Sequence, residues 1–355
     1  MRKKRLTIII AGFDVGGAQN MVYEQLRHAD VEQYDIRVLS VVSKRGTWLE
    51  EKLEAMFPVT YLGHSGGRVT PWRIAQILMA IQKTKPDIVH AHLSGAGFAA
   101  MWAQLTGKPL VITIHSKPSQ AFPPKMQRQI KRAMRLKSTH VVAVSEDNAR
   151  MVKDYYGLDD TRCSYINNGI DLERFSRKDH EGFTLINVAR QDENKNQAAL
   201  LRCFARLHRE HPETKLLLLG DGPCHEALKE LATELGIDAA VTFTGNVSNT
   251  EAYYALSDLF VLCSHREAMP LSVLEAMATP MPIVSTRVGG LSDVVQDNGI
   301  LVEDHDEDVL YEAILQVYRQ SPEDYQKMCD ASGRIVQAYS NVEMARAYEA
   351  IYAAM

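Results

Sequence analysis

The chain has 355 residues, 46% hydrophobic and 24% charged, with a formal net charge of -4. That composition excludes a disordered or low-complexity protein, and the charge excludes the strongly basic footprint of a nucleic-acid-binding domain. Five cysteines, Cys163, Cys203, Cys224, Cys263 and Cys329, stand too far apart for C-x-x-C pairs or zinc spacing and read as thiols of a reduced, cytoplasmic chain; no run reaches the ~20 apolar residues of a membrane span.

The basic start "MRKKRLTIIIAGF" has a short apolar run that leads into "DVGGAQN" with no cleavage-like site, and it reads as a first strand rather than a leader. Short Ile/Val-rich runs then recur at Leu6–Ala11, Ile36–Val41, Ile88–Ala91, Leu110–Ile114 and His140–Val144, with helical patterns between most of them. Buried strands alternating with helices imply parallel βαβ units covered on both faces. The rhythm restarts at Phe183–Ala189, Lys215–Leu219, Val241–Thr244, Leu259–Leu262 and Pro282–Ser285. The expected layout is a Rossmann-like domain over 1–166, a polar linker over 167–182, a second Rossmann-like domain over 183–338, and a C-terminal helix over 339–355 that packs back on the first domain. Ser321 followed by Pro322 predicts a helix start.

Ligands of such sheets bind beyond the carboxyl ends of the strands, so residues just after strands are the candidates. Gly16 and Gly17 follow the first strand at a helix start, where backbone N–H groups favour an anion; a plain turn explains them equally well. Arg190 follows a strand in "LINVARQDENKN", with Lys195 five positions on; a forked guanidinium and a mobile ammonium suit a diphosphate. "GDGP" at Gly220–Pro223 reads as a structural βα turn. In "SHREAMPLSVLEAMATPMP", Glu267 lies in a loop and Glu275 on a helix starting near Leu271, whose N–H groups at Ser272, Val273 and Leu274 are expected to face an anion. Glu275 sits among apolar neighbours and needs a partner.

In this combination the chain resembles the retaining glycosyltransferases of family 4, with the GT-B fold of two Rossmann-like domains facing across a cleft. The carriers are "GGAQN", "TIHS" with His115, "VSE" at Val144–Glu146, "INNGID" at Ile166–Asp171, Arg190 with Lys195, "GDGP" and the Glu267/Glu275 pair. The resemblance implies that Arg190 and Lys195 neutralise the donor diphosphate, Glu275 holds the ribose, and Glu267 lies at the donor sugar beside Met269, Pro270 and Leu271. It places the base against Gly245, Asn246 and Val247, His115 on the transferred sugar, and Gly16 where donor and acceptor need room. The chain departs from the family where Met269 follows Ala268, at Pro280, usually Gly, and at Asp293, often Glu; Met269 bears on which sugar fits.

The implied activity is transfer of a hexose or N-acetylhexosamine from a nucleotide diphosphate sugar, UDP-linked by preference, to a cell-surface polysaccharide or lipid-linked oligosaccharide. No cofactor and no metal are expected, because cations and a helix start can take the leaving charge. The acidic "EDHDED" at Glu303–Asp308 contains D-x-D, but it precedes a helix that it is better placed to cap. The segment 125–137, "KMQRQIKRAMRLK", reads as a basic amphipathic helix able to lie on an anionic membrane surface, or else buried on one side and solvated on the other. The alternatives are a sugar-nucleotide epimerase of the same fold and a non-catalytic partner of another transferase.

Overall fold

In the computed structural model, which describes residues 2–14, 17–64, 69–119, 121–267, 269–303 and 306–355, the chain forms two units. The first comprises Met1–Gly169 with Asn341–Met355, the second Ile170–Ser340. The expected linker is therefore divided: 167–169 goes with the first unit and 170–182 with the second, where Ile170 and Phe175 are buried in the core. Asp258 holds this segment down by pairing with Arg177 and by accepting from His180 Nε2 and Thr184 N–H, each at 2.8 Å.

The first unit alternates β1 (Lys4–Ile10), α1 (Gly17–Arg27), β2 (Tyr34–Ser40), α2 (Trp48–Met56), β3 (Val59–Tyr61), α3 (Pro71–Lys83), β4 (Ile88–His92), α4 (Gly95–Thr106), β5 (Leu110–Ile114), α5 (Pro124–Ala133), β6 (Thr139–Ala143), α6 (Glu146–Tyr156) and β7 (Cys163–Tyr165). All pairings are parallel, in the order β3-β2-β1-β4-β5-β6-β7. Successive side chains of a strand leave opposite faces, so Leu6, Ile8 and Ile10 enter one core and Ile9 the other. Both faces are apolar, which is why these strands read as continuous runs rather than alternating ones.

The second unit follows with β8 (Thr184–Val188), α7 (Gln197–Glu210), β9 (Lys215–Leu219), α8 (His225–Glu234), β10 (Val241–Gly245), α9 (Thr250–Tyr254), β11 (Leu259–Leu262), α10 (Leu271–Ala278), β12 (Ile283–Thr286), α11 (Leu291–Val294), β13 (Gly299–Val302), α12 (Glu307–Tyr318) and α13 (Pro322–Ile335). Its order, β10-β9-β8-β11-β12-β13, is that of a doubly wound dinucleotide fold. Ser321 caps α13 by accepting from Asp324 N–H, with Pro322 in the first turn.

The last helix, α14 (Asn341–Ala354), belongs to the first unit, where Met344, Tyr348 and Tyr352 are buried in the core beside Ile8 and Ile10. Gly169 lies so close to the start of this helix that a Cβ would stand 2.7 Å from Asn341 Cα, which accounts for the glycine of "INNGID". Ser145 of "VSE" caps α6 by accepting from Asn148 N–H.

The basic helix α5 has its apolar side turned inward: Ile130, Ala133 and Met134 lie in the first unit's core, with Met126 and Leu136 packed against it. The apolar half of the expected lipid-facing surface is thus spent on the protein itself. Lys125, Arg128, Lys131, Arg132, Arg135 and Lys137 are exposed.

Candidate active site

In the second unit the strand order reverses between β8 and β11, where open α/β sheets bind ligands. The segments leaving these strands are stitched together. His265 N–H donates to the Asn194 carbonyl at 2.7 Å, and the Asn194 amide donates to the Arg266 carbonyl at 2.9 Å. This brings Lys195, from beyond β8, onto Glu267, from beyond β11, with Nζ 2.5 Å from Oε1. Their side chains are 19% and 9% exposed, so the pair is largely withdrawn from water. An ammonium has three N–H donors, and the two not given to Glu267 suit anionic oxygens.

Arg190 follows β8 but its side chain is 70% exposed, with Nε 3.6 Å from an Asp192 oxygen. Its backbone is fixed: the Arg190 carbonyl accepts from the Gln197 amide at 3.1 Å, and the next residue, Gln191, donates its N–H to the Asp221 carbonyl and accepts from Cys224 N–H, both at 3.0 Å. A solvent-exposed guanidinium thus stands on a hydrogen-bonded backbone.

Arg190 shares a pocket of about 480 Å³ with Val188, Ala189, Leu219, Gly220, Asp221, Asn246, Val247 and Thr250. Gly220 and Asp221 of "GDGP", read above as a turn, line it. Gly220 has φ of 117°, and a Cβ there would stand 2.1 Å from the Ala189 carbonyl oxygen; at Gly222 it would stand 2.2 Å from that of Gln191. Only glycine lets the two loops run this close.

Pro270 precedes α10 and supplies no capping side chain, so its first turn carries N–H groups for an incoming anion. Val273 is not among them, because its N–H goes to the Pro270 carbonyl at 3.2 Å; Leu271 and Ser272 head the helix. Met269 packs against the core beneath. One turn on, burial pushes the Glu275 carboxyl up to about 7, Glu251 adds to the shift, and the Tyr254 hydroxyl and Arg174 oppose it. Arg174 bridges to Glu251 at 2.9 Å, and the Tyr254 hydroxyl donates to the Ser272 carbonyl at 3.0 Å.

In the first unit His115 follows β5, and its Nε2 lies 3.1 Å from His92 Nδ1; burial lowers it to about 4. His90, inside the expected strand Ile88–Ala91, and His92, just past its expected end, form with it a cluster that sequence reasoning missed; the H-x-H spacing, which sets both rings on one face of β4, was the available signal. Gly17 opens α1, exposed, with nothing within 4 Å of where its Cβ would stand. Gly16 lies outside the described residues. In the acidic run, Asp306 caps α12, while Glu303, Glu307 and Asp308 pair with Arg287, Arg202 and Arg206; Asp304 and His305 lie outside the described residues.

Residues 15–174 match the family model for Glycosyltransferase Family 4, and residues 170–334 that for Glycosyl transferases group 1. The chain belongs to the family 4 glycosyltransferases. This glycosyltransferase is 25% identical over 329 residues to the UDP-Gal:alpha-D-GlcNAc-diphosphoundecaprenol alpha-1,3-galactosyltransferase of Escherichia coli, covering 85% of each chain. It is 28% identical over 290 residues to the N-acetyl-alpha-D-glucosaminyl L-malate synthase of Bacillus anthracis, covering 76% of this chain and 75% of that one. Among solved structures, HepE of Anabaena in complex with UDP superposes with a TM-score of 0.82 at 17% identity, over 99% of this chain and 100% of that one. The glycosyltransferase therefore has the GT-B fold, and none of its helices among the described residues is long and apolar enough to cross a membrane.

Proposed function

We propose that this glycosyltransferase moves a hexose or N-acetylhexosamine from a UDP-sugar to a cell-surface polysaccharide or lipid-linked oligosaccharide, with retention of anomeric configuration and without a metal ion. The observation that carries the reading is the Lys195–Glu267 pair at the reversal of strand order; the pocket of Arg190, Asn246 and Val247 and the uncapped start of α10 in the same unit support it. The printed name of the Escherichia coli relative, with its UDP-Gal donor and diphosphoundecaprenol-linked acceptor, supports a UDP-sugar and a lipid-linked acceptor.

In this reading the bond from the anomeric carbon to the diphosphate breaks, and negative charge grows on the leaving oxygens. Lys195, Arg190 and the N–H groups of Leu271 and Ser272 take up that charge, which is the largest catalytic contribution fixed dipoles and cations can make. Glu267 keeps the Lys195 ammonium in place and accepts from a sugar hydroxyl. Glu275 accepts from the ribose, Asn246 and Val247 border the base, Met269 and Pro270 flank the sugar, and His115 contacts it. Gly17 leaves room at the start of α1. The acceptor hydroxyl attacks the face from which UDP departs and passes its proton to the leaving phosphate oxygen, so configuration is retained and no enzyme carboxylate is consumed.

The test is protection against thermal unfolding by UDP-, GDP- and ADP-sugars, first with a chelator and then with Mg²⁺. A ligand at 100 times its Kd stabilises by about 2.7 kcal/mol, enough to raise the midpoint measurably. Protection by UDP-sugars in chelator is the expected result; protection only with Mg²⁺ overturns the metal-free mechanism, and none from any nucleotide sugar overturns the donor site.

We further infer a cytoplasmic enzyme held peripherally on the inner membrane face by charge alone. The exposed side of 125–137, which is α5 and the turn after it, carries six cations and no acid, while the apolar side is occupied by the core. Basic residues near an anionic surface contribute about 1 kcal/mol each and are screened by salt. Sedimentation with phosphatidylglycerol vesicles should therefore be strong at low salt, vanish at high salt, and be lost in Lys125→Glu/Arg128→Glu/Lys131→Glu at an unchanged unfolding midpoint. Salt-resistant binding would point to apolar insertion instead.

A further inference from the structure

Behind His115, the first unit buries a line of polar groups whose hydrogen-bond directions can be worked out one from the next. Gln25 Nε2 can only donate, and it gives its proton to the Tyr352 hydroxyl at 2.6 Å. Tyr352 in turn lies 2.6 Å from His90 Nδ1. A buried phenol leaves no proton unused where an acceptor is at hand, so Tyr352 donates and His90 Nδ1 accepts. His90 then carries its proton on Nε2, which donates to Thr113 Oγ1 at 2.8 Å, and the Thr113 hydroxyl shares a further hydrogen bond with the Tyr348 hydroxyl at 3.2 Å. Every partner of His90 is thereby assigned, and its ring stands 4.0 Å from that of His92, centroid to centroid.

His92 has one hydrogen bond, from Nδ1 to His115 Nε2 at 3.1 Å, and its buried Nε2 has no partner among the described residues. Two arrangements are open. If His92 carried its proton on Nε2, that N–H would be buried without an acceptor; if it carries it on Nδ1, only a lone pair is left over. Orphaned buried N–H groups are the rarer kind in proteins, as the backbone statistics illustrate, so the second arrangement is favoured.

We propose that His92 is a positioning residue that donates from Nδ1 to Nε2 of His115, so that His115 keeps its own proton on Nδ1 and meets the substrate as a hydrogen-bond donor rather than as a base. This rests on the reading that His115 contacts the transferred sugar. Burial lowers all three imidazoles, so none is charged near neutral pH and the tautomers stay distinct. A donor of fixed direction recognises an oxygen of the sugar or of the departing diphosphate and takes no part in moving the acceptor's proton.

The test uses the full chain labelled with ¹⁵N-histidine, with two-bond ¹⁵N–¹H correlation spectra and the His115 signals assigned by their loss in His115→Ala. His115 is expected as the Nδ1–H tautomer. In His92→Leu the tautomers should mix, and UDP release from UDP-glucose, UDP-galactose or UDP-N-acetylglucosamine, whichever is hydrolysed, should fall roughly tenfold, as for one lost hydrogen bond. His92→Asn, whose amide N–H reaches the same place, should keep both the tautomer and the rate within about twofold. An Nε2–H tautomer in the wild-type chain overturns the proposal, as does an unchanged tautomer in His92→Leu. Should His92→Leu not fold, the wild-type spectrum and His92→Asn still decide. Undiminished UDP release in His115→Ala would instead reject the contact with the sugar, an outcome separate from the tautomer.

Discussion

Lys195→Met is expected to lower sugar transfer by roughly 10²–10³-fold, the loss that follows removal of one charge-stabilising donor from a developing anion. The argument lies in how the ammonium is held. Two loops tied by the Asn194 hydrogen bonds bring it to Glu267 at 2.5 Å, so it does not have to be recruited when charge develops. The same substitution leaves the Glu267 carboxylate, only 9% exposed, without its partner, and should cost on the order of 2 kcal/mol of stability, less than for a fully buried pair because Lys195 still meets water. The double substitution Lys195→Met/Glu267→Gln separates the two effects. It should regain most of the lost stability and none of the lost rate, because the neutral amide has no charge to strand. Near wild-type UDP release in either variant would remove Lys195 from the diphosphate. Equal stability of single and double variants would mean that the pair does not act as a buried unit.

Glu275 gives the second large effect, and it depends on pH. Burial raises its carboxyl to about 7 against an ordinary 4.5. The folded protein therefore holds a proton that the unfolded chain has released over this interval. Its contribution to stability is intact below pH 4.5, declines as pH rises, and is gone above pH 7. Replacing it by Gln removes the penalty of the buried charge: Glu275→Gln should be more stable than the parent by on the order of 2 kcal/mol at pH 8 and indistinguishable from it at pH 4.5. Donor binding should run the other way. A ribose hydroxyl donates to the ionised carboxylate, so affinity for the donor should climb by nearly tenfold per pH unit below 7 and level off above, with protons released on binding at pH 6. Calorimetry in two buffers of different ionisation heat measures that release. A pH-independent affinity, or one that Glu275→Gln leaves unchanged, would separate Glu275 from the ribose.

Much of this was legible in the sequence because both sheets are parallel and doubly covered. Leu110–Ile114, Lys215–Leu219 and Leu259–Leu262 are buried along most or all of their length, and their apolar runs mark the strands with correct ends. The strands that were missed, β3, β7 and β13, are edge strands of three or four residues with partly exposed side chains, so they leave no apolar run to read. The site divides the same way. Lys195 and Glu267 stand next to strand ends and could be picked out by charge, but their pairing depends on the Asn194 bridge between loops over 70 residues apart. Asp221 and Thr250 belong to the pocket, yet in the sequence one looks like a turn residue and the other like a helix start. His90 and His92 were hidden because a polar residue within a buried strand finds its partners on other elements: His92 on His115 beyond β5, and His90 on Thr113 of β5 and on Tyr352 of α14, more than 250 residues along the chain.

That late helix sets a timetable for biosynthesis. On the face of β1 and β4 that holds Leu6, Ile8, Ile10 and His90, the core is completed by Tyr348 and Tyr352, which are made only after the second unit. A ribosome adding 5–20 residues per second needs roughly 10–30 s to pass through the intervening second unit. Throughout that time α1 and α2 cover that face without the strip that Met344, Tyr348 and Tyr352 fill, so the first unit is completed after the second rather than before it. The second unit, continuous in the chain, is the part able to finish early, and the first keeps an incomplete core until α14 has emerged.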